Sequence, residues 1–411
     1  MTIHVNSEIG RLQRVIIHTP GPEVDAMSPD TMHASLYDDI FYRLRATEEH
    51  RQLAATLGQF ADVLTVERLV AETLEIAEAR RAVLQGLTTL YGCEHLLPTL
   101  DEMPSDRLAT QLIVGTKLDP SPSTVAGRLD RHAYIMPPMH NLFFTRDAAM
   151  CINDHVIIGA MAKAERRGEA LLMRLLFTHH PLLRNAGFFL DGTAPHPPSV
   201  SVEGGDVFPL REDLVLIGCG ERTSAAAIDY LIDRFAESER IRHVVVQPMP
   251  LNRAYIHLDL AFTMIDHGLC MIHEPVITGP YRHRPLVVTL DGDQRLVRDY
   301  DNLLEALNAV DLPLETVITG GEDPLWQARE QWHKGTNFFA MAPGKIISYG
   351  RNERTAEQLS AHGFALVSGN DVAEGRVDLT APGRVAVMMS GAELARGGGG
   401  CRCMTLPVLR A

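Results

Sequence analysis

The sequence predicts an α/β protein in which one strand–turn–strand unit is repeated along the chain, as in a propeller or another repeat array. Four segments share this pattern: two short apolar strands flank a tight turn rich in Asn, Asp, Gly and Pro, residues that reverse a chain within two or three positions. Two copies are followed by the same tripeptide, Glu-Arg-Thr, whose Thr can cap a helix. An ordinary mixed α/β sheet is the alternative.

The four copies occupy residues 147–161, 206–220, 260–277 and 337–350. Three of them are followed by sequence with helical character, and the first of these helices should carry Arg166 and Arg167. The N-terminal strand that begins at Arg14 is a candidate for a fifth unit. The helix expected after that strand would carry on one face Ile40, Leu44, Leu53 and Leu57.

A different pattern interrupts these units. Between about Arg68 and Arg131 the strand pattern stops and apolar residues follow helical spacing. Residues 105–115 form one such helix in this interpretation, with Gly115 where a terminating glycine belongs. We therefore expect a main repeat unit made of residues 1–67 and 132–411, with a helical insertion at 68–131.

Composition narrows the class of protein. Hydrophobic residues make up 45% and charged residues 22% of the 411, which is ordinary for a globular protein, and the formal net charge is −14. That charge argues against nucleic acid as a partner and weakly favours a cationic small molecule. The N-terminus lacks the features of a signal peptide, and no apolar run approaches the roughly 18–20 residues that span a bilayer. We expect a soluble cytoplasmic protein.

The C-terminal segment carries the first candidate for chemistry. Four consecutive glycines, residues 397–400, precede Cys401, Arg402 and Cys403. Glycines in a row are entropically costly, so the backbone there should approach something closely, and a cysteine after such a loop is a candidate nucleophile. A neighbouring cation such as Arg402, or a cationic substrate, would lower the pKa of the thiol. A flexible tail with two incidental thiols, or a Cys-x-Cys metal or disulfide site, are the alternatives, and position alone does not choose between the cysteines.

Three acid-rich points lie where strands of the repeat begin: residues 144–147, 203–206 and 257–259. Equivalent strand starts in a repeat fold converge, so these side chains should meet near one axis. A His among carboxylates suits acid–base catalysis or a metal site, but no multi-His spacing indicates a metal. Turn caps and solvated loop charges are the structural alternative for each point alone.

A guanidinium group is a substrate that suits a thiolate, a His and several carboxylates without a metal. It is planar and always protonated, so its carbon is a poor electrophile. Two carboxylates can bind its N–H donors and fix the carbon beside a thiolate, while a His protonates the departing amine.

Eight short motifs, in order along nearly the whole chain, resemble the arginine deiminase family of the guanidine-modifying (pentein) superfamily. They are residues 6–12 (NSEIGRL), 36–40 (LYDDI), 141–147 (NLFFTRD), 166–169 (RRGE), 203–207 (EGGDV), 220–223 (GERT), 257–259 (HLD) and 403–405 (CMT). The resemblance implies a five-bladed, pseudo-fivefold ββαβ propeller with a helical insertion. It implies hydrolysis of L-arginine to L-citrulline and ammonia, no metal or cofactor, and a homo-oligomer.

The resemblance also assigns roles to individual residues. It makes Cys403 the nucleophile and His257 the general acid and later the general base, with Glu203 assisting proton transfer. Asp147 and Asp259 would hold the guanidinium. The residues that it places around the rest of the substrate are Leu36, Asn141, Phe144, Arg166, Asp206, Arg222 and Gly398.

Two departures from the family pattern leave the substrate open. Some members have an Arg in the glycine loop where this chain has Gly398, and few have a cysteine at position 401. Residues 276–310 also match poorly. Transfer of the amidino group to an amine, or action on a modified arginine, is therefore the second hypothesis. A protein that binds without turnover, or a metal hydrolase, ranks lower.

Overall fold

The computed structural model describes residues 3–32, 35–118, 125–129, 134–292 and 294–411. The strands in these residues are β1 (Leu12–Ile17), β2 (Asp62–Thr65), β3 (Thr116–Lys117), β4 (Tyr134–Met136), β5 (Ala149–Ile152), β6 (His155–Ile158), β7 (Gly187–Asp191), β8 (Val207–Arg211), β9 (Leu214–Cys219), β10 (His243–Pro248), β11 (Phe262–Asp266), β12 (Leu269–Ile272), β13 (Leu286–Asp291), β14 (Gln294–Asp299), β15 (Glu315–Ile318), β16 (Phe339–Ala342), β17 (Lys345–Tyr349), β18 (Ala365–Ser368), β19 (Val385–Met389) and β20 (Leu406–Arg410).

The helices in the same residues are α1 (Pro29–Met32), α2 (Arg43–Gly58), α3 (Val66–Leu74), α4 (Ala77–Tyr91), α5 (Leu97–Asp101), α6 (Ser105–Val114), α7 (Val125–Leu129), α8 (Thr145–Ala148), α9 (Arg167–His179), α10 (Ala225–Ser238), α11 (Glu274–Ile277), α12 (Leu303–Asn308), α13 (Pro324–Trp332), α14 (Glu353–Ala361) and α15 (Gly369–Ala373). Among them there is none both long and apolar enough to cross a membrane.

Five sheets share one strand pattern, in which an antiparallel pair is extended by a third, parallel strand. The triplets are β5-β6-β7, β8-β9-β10, β11-β12-β15, β16-β17-β19 and β20-β1-β2. The four strand pairs predicted from the sequence are confirmed. The predicted N-terminal strand, β1, belongs to the fifth sheet, but its antiparallel partner is β20 from the other end of the chain.

The poorly matching stretch, residues 276–310, contains an addition to the second sheet. β13 pairs with β10 and β14 pairs with β13, both antiparallel, so that this sheet has five strands. Every residue of the edge strand β14 is exposed.

The predicted helical segment contains α3 to α6, and α6 ends at Gly115 as expected, with φ of +80°. A short pair, β3 and β4, follows it. Part of the predicted insertion, residues 119–124 and 130–131, lies outside the described residues.

The apolar face predicted for the first long helix is only half right. Leu53 and Leu57 are buried in α2, but Ile40 precedes the helix, and both it and Leu44 are exposed. The buried face instead includes Glu49, whose carboxylate accepts hydrogen bonds from the backbone N–H groups of residues 392–394. Glu49 is stable in the interior because these hydrogen bonds satisfy its carboxylate, and the same bonds fix the start of the C-terminal loop.

Candidate active site

A cavity lies where the segments leading into the first strands of the five sheets meet. These segments precede β5, β8, β11, β16 and β20 and contribute respectively Asp147, Glu203, His257, Asn337 and Cys403. The expected convergence of the strand starts is thus confirmed. The cavity is lined by Ser35, Leu36, Asn141, Phe144, Asp147, Lys163, Glu165, Arg166, Arg222, Ile256, His257, Leu260, Gly397, Gly398, Gly399 and Cys403.

Three of the four glycines, Gly397, Gly398 and Gly399, line this cavity, and the glycine loop fits closely against its neighbours. A Cβ on Gly399 would meet the ring of Phe144, and one on Gly400 would lie 2.6 Å from Oδ1 of Asn337. Gly398 has φ of +91°, which favours glycine. The loop is buried and anchored, which contradicts the flexible-tail alternative.

The structure separates the two C-terminal cysteines. Cys403 lines the cavity, whereas Cys401 is fully buried with its Sγ 3.4 Å from Sδ of Met389 and does not line the cavity. All six cysteines are free thiols, so the disulfide alternative is wrong.

Beside Cys403, Asp259 is held by a protein guanidinium. Its Oδ2 lies 3.6 Å from the Cys403 Sγ and accepts a hydrogen bond of 3.1 Å from Arg402. Arg402 also pairs with both carboxylate oxygens of Glu8, at 2.9 and 3.1 Å, and its guanidinium stacks on the ring of Phe208. The other oxygen of Asp259, Oδ1, is buried without a hydrogen-bond partner among the described residues.

The second predicted guanidinium ligand has the same arrangement. Oδ2 of Asp147 accepts a 2.6 Å hydrogen bond from Arg166, and Oδ1 is buried with no hydrogen-bond partner in the described part of the chain. Arg166 further donates to Glu169 and to the carbonyls of Asn141 and Phe144. Arg166 therefore positions Asp147. All three of its guanidinium nitrogens already donate hydrogen bonds to protein acceptors.

His257 lies between carboxylates. Its Nε2 is 3.0 Å from Oε2 of Glu203, and its Nδ1 is 3.8 Å from Oδ1 of Asp147. Glu203 is fully buried and also accepts a 3.2 Å hydrogen bond from Arg222. Nε of Arg222 has no hydrogen-bond partner within the described residues, so this N–H group can still donate to a ligand.

These neighbours set the charge of His257. Burial alone would lower its pKa, but the carboxylates of Asp147, Glu203 and Asp206 outweigh burial and raise the pKa to about 9. The Arg222 guanidinium and the hydrogen bond to His257 outweigh burial in the other direction and bring the pKa of Glu203 down to about 2. At neutral pH the pair is an imidazolium and a carboxylate, which is the form a general acid requires.

The surroundings of Cys403 favour its protonated thiol form. Burial, with Asp259 and Asp147 nearby, raises its pKa well above the ordinary value. Arg402 does lower this pKa, as expected, but burial and the two aspartates outweigh its effect, and its charge is shared with Glu8 and Asp259. A cation bound near the two aspartates would offset the same negative charge.

The remaining predicted binding residues divide into two groups. Leu36, Asn141, Phe144, Arg166, Arg222 and Gly398 line the cavity. Asp206 does not; its Oδ1 accepts the backbone N–H of Leu258 at 2.8 Å and so fixes the turn that presents His257 and Asp259. Burial raises the pKa of Asp206 to about 7.

Sequence reasoning missed Asn337, Glu8 and the pairing role of Arg402 as parts of the site. Asn337 opens the fourth copy of the repeat, at the place where the other copies carry their chemical groups, so its position was a usable signal. Glu8 is separated from Arg402 by most of the chain, and no local pattern links the two.

Known proteins are similar in sequence to nearly the whole length of this chain. The family model described as "Arginine deiminase" matches residues 34–410. Arginine deiminase of Oenococcus oeni is 33% identical over 425 residues, which cover 99% of this chain and 97% of that protein. Arginine deiminase of Listeria monocytogenes is 30% identical, with 99% and 98% covered.

Solved structures with a similar fold are more distant in sequence. SxtG, an amidinotransferase from Microseira wollei, has a TM-score of 0.55 at 12% identity, with 99% of this chain and 97% of that chain covered. The N-terminal domain of ArgZ, a cyanobacterial arginine dihydrolase, has a TM-score of 0.52 at 14% identity, with 97% of each chain covered. A DDAH from Pseudomonas aeruginosa in complex with citrulline has 0.51 at 14%, with 96% and 99% covered.

The structural neighbours establish the pentein-type α/β fold, and the sequence relatives go further, because they match at 30–33% identity over almost the full length of both chains. The chain belongs to the arginine deiminase family.

Proposed function

We propose that the protein hydrolyses the guanidinium group of L-arginine to L-citrulline and ammonia through a covalent intermediate on Cys403. One observation supports this most directly. The cavity thiol lies beside two aspartates, Asp147 and Asp259, each of which is fixed by an arginine through one oxygen and keeps a second, buried oxygen without a hydrogen-bond partner among the described residues. Two such oxygens suit the N–H groups of a guanidinium.

The reaction has two halves. Binding of the cation beside the aspartates offsets the charge that raises the pKa of Cys403, so the thiol releases its proton to solvent. The thiolate attacks the guanidinium carbon, and the C–N bond breaks as His257 gives its proton to the departing ammonia, leaving an S-alkylthiouronium. His257, now neutral, takes a proton from water, which attacks the same carbon; the C–S bond then breaks, the remaining hydroxyl proton passes to the Cys403 sulfur, and citrulline leaves.

The architecture completes the proposal. The five sheets with one strand pattern favour a pseudo-fivefold propeller, with residues 68–131 as an inserted helical subdomain on a unit of residues 1–67 and 132–411. A cytoplasmic location and a homo-oligomer stay predictions, of which sedimentation analysis tests the second.

The test is incubation with L-arginine while free ammonia and citrulline are both measured. Hydrolysis gives one ammonia for each citrulline. The fold shared with an amidinotransferase keeps the second hypothesis open. Dependence on an added amine, without free ammonia, would favour amidino transfer.

We expect turnover to survive extensive chelation. Ligand atoms of Asp147, Glu203 and His257 lie within 4.8 Å of one another, a spacing that suits a metal ion. However, Arg166 and Arg222 already balance the two carboxylates. Activity after dialysis against EDTA, with and without added Zn²⁺ or Mn²⁺, measures this, and a rate restored only by metal would overturn the thiol mechanism.

The enzyme should strongly prefer arginine to agmatine, which lacks the α-carboxylate. Arg222 lines the cavity and pairs with Glu203, but its buried Nε has no hydrogen-bond partner among the described residues, so a substrate without the α-carboxylate would leave this donor unsatisfied. Replacing Arg222 with Ala should shrink the ratio of kcat/KM for arginine over agmatine. Arg222→Ala also removes the partner of Glu203, which should slow both substrates equally. This common loss cancels in the ratio of the two kcat/KM values.

Arg166 provides the comparison. Its donors are already bound to protein acceptors, so Arg166→Ala should lower kcat/KM for both substrates and change the ratio less. Equal use of agmatine by the wild type would move the function away from arginine deimination.

A further inference from the structure

Asn337 joins the nucleophile to the carboxylate beside it. It lies in the segment that leads into β16, between α13 and the fourth sheet, and its side chain is fully buried. The amide Oδ1 accepts the backbone N–H groups of Arg402 and Cys403, at 2.9 and 3.3 Å. The amide Nδ2 lies 3.2 Å from the carbonyl oxygen of Asp259 and 3.3 Å from the Sγ of Cys403.

These four contacts fix the orientation of the amide. Two backbone N–H donors face one end of the side chain, so that end must be the oxygen. The NH₂ group therefore faces Asp259 and Cys403, with one hydrogen for the carbonyl oxygen and one for the sulfur. A flipped amide would set its NH₂ group against two N–H donors and its oxygen against a carbonyl.

The sulfur is consequently the acceptor for a buried amide N–H. A thiolate accepts such a hydrogen bond more strongly than a thiol, because bonds to a charged acceptor are about twice as strong as neutral ones. Asp259 acts in the opposite sense, since its Oδ2, 3.6 Å from Sγ, stabilises the S–H form. Two neighbours of the sulfur thus favour opposite protonation states.

We infer that Asn337 is a further catalytic residue, whose N–H stabilises the Cys403 thiolate while its oxygen fixes the turn that carries this cysteine. The inference rests on the proposed role of Cys403 as nucleophile. It assigns to the fourth sheet the contribution that the other four make through Asp147, Glu203, His257 and Cys403.

The experiment measures the thiolate without substrate. Iodoacetamide alkylates Cys403 in wild type and variants across a range of pH, and mass spectrometry follows the adduct at that residue. A hydrogen bond to a charged group is worth about 10- to 150-fold in an equilibrium. In Asn337→Ala the midpoint of alkylation should therefore rise by about one to two pH units, with kcat falling by a similar factor and KM changing less.

Asn352→Ala is the matched control. Asn352 is another buried asparagine, whose Nδ2 donates to the carbonyl of His333, and it belongs to the same sheet region without contacting Cys403. Its loss should cost stability and leave the alkylation midpoint unchanged. Asn337→Asp is the second variant: it keeps an oxygen for the two backbone N–H groups but has no N–H for the sulfur.

A midpoint that does not rise in the folded Asn337 variants would overturn the inference, whatever happens to turnover. Because alkylation needs no arginine, this outcome is distinct from failure of the proposed function. Absence of citrulline in the wild type would refute that function and leave the thiolate measurement intact.

Discussion

Replacing Cys403 with serine should abolish the hydrolysis of arginine, with a loss in kcat of at least about 10⁴-fold. A serine hydroxyl ionises far less readily than a thiol, and His257 does not act as its base, because Asp147 and Glu203 hold this histidine as an imidazolium. The variant should still bind arginine, since both aspartates remain. Single-turnover measurement with radiolabelled arginine and calorimetric binding test the two halves of this prediction.

Cys401→Ser is the control, because position in the sequence alone does not decide which of the two cysteines is the nucleophile. Cys401 packs against Met389 and does not line the cavity, so this variant should keep most of the activity and lose some stability. An amidine that carries a leaving group should label Cys403 in the wild type. A label on Cys401, or loss of turnover in Cys401→Ser with retained fold, would reverse the assignment.

Local signals in the sequence predict much of the fold. The strand pairs of four sheets were recognisable because each turn carries residues that reverse the chain, and this chemistry is local. The partner of β1 was not recognisable, because β20 lies at the far end of the chain and no turn joins them. For the same reason no local pattern indicates that Glu49 is buried, because the loop that it anchors lies more than 300 positions away.

The candidate site divides along the same line. The chemical groups were predicted, since strand starts of a repeat converge and the family motifs name them. Their electrostatics were not, because the pairing of Asp259 with Arg402 and of Arg402 with Glu8 depends on tertiary structure. Burial and the two neighbouring aspartates outweigh the expected lowering by Arg402, so the pKa of Cys403 is raised.

Replacing His257 with Asn should lower kcat by about 10²- to 10⁴-fold, the usual contribution of one acid–base group. The imidazolium donates to the departing ammonia, and an amide of similar size cannot lose a proton and later accept one. Thiouronium formed slowly in this variant should also break down slowly, so mass spectrometry after quenching can detect it. Near-normal kcat would remove His257 from the mechanism.

The protonation state of His257 can be measured without turnover. In Cys403→Ser, titration of the His257 imidazole by ¹⁵N NMR should give a pKa near 9, because Asp147 and Glu203 stabilise the charged ring. Removing one of these charges in Glu203→Gln should lower that pKa, since a raised pKa falls when the anion that raises it is lost. Glu212→Gln is the control. Glu212 is exposed and does not line the cavity, so its replacement should leave the pKa of His257 unchanged. A pKa near the ordinary value of about 6.5 in Cys403→Ser would mean that His257 is neutral when arginine arrives, and the departing ammonia would then need another proton donor.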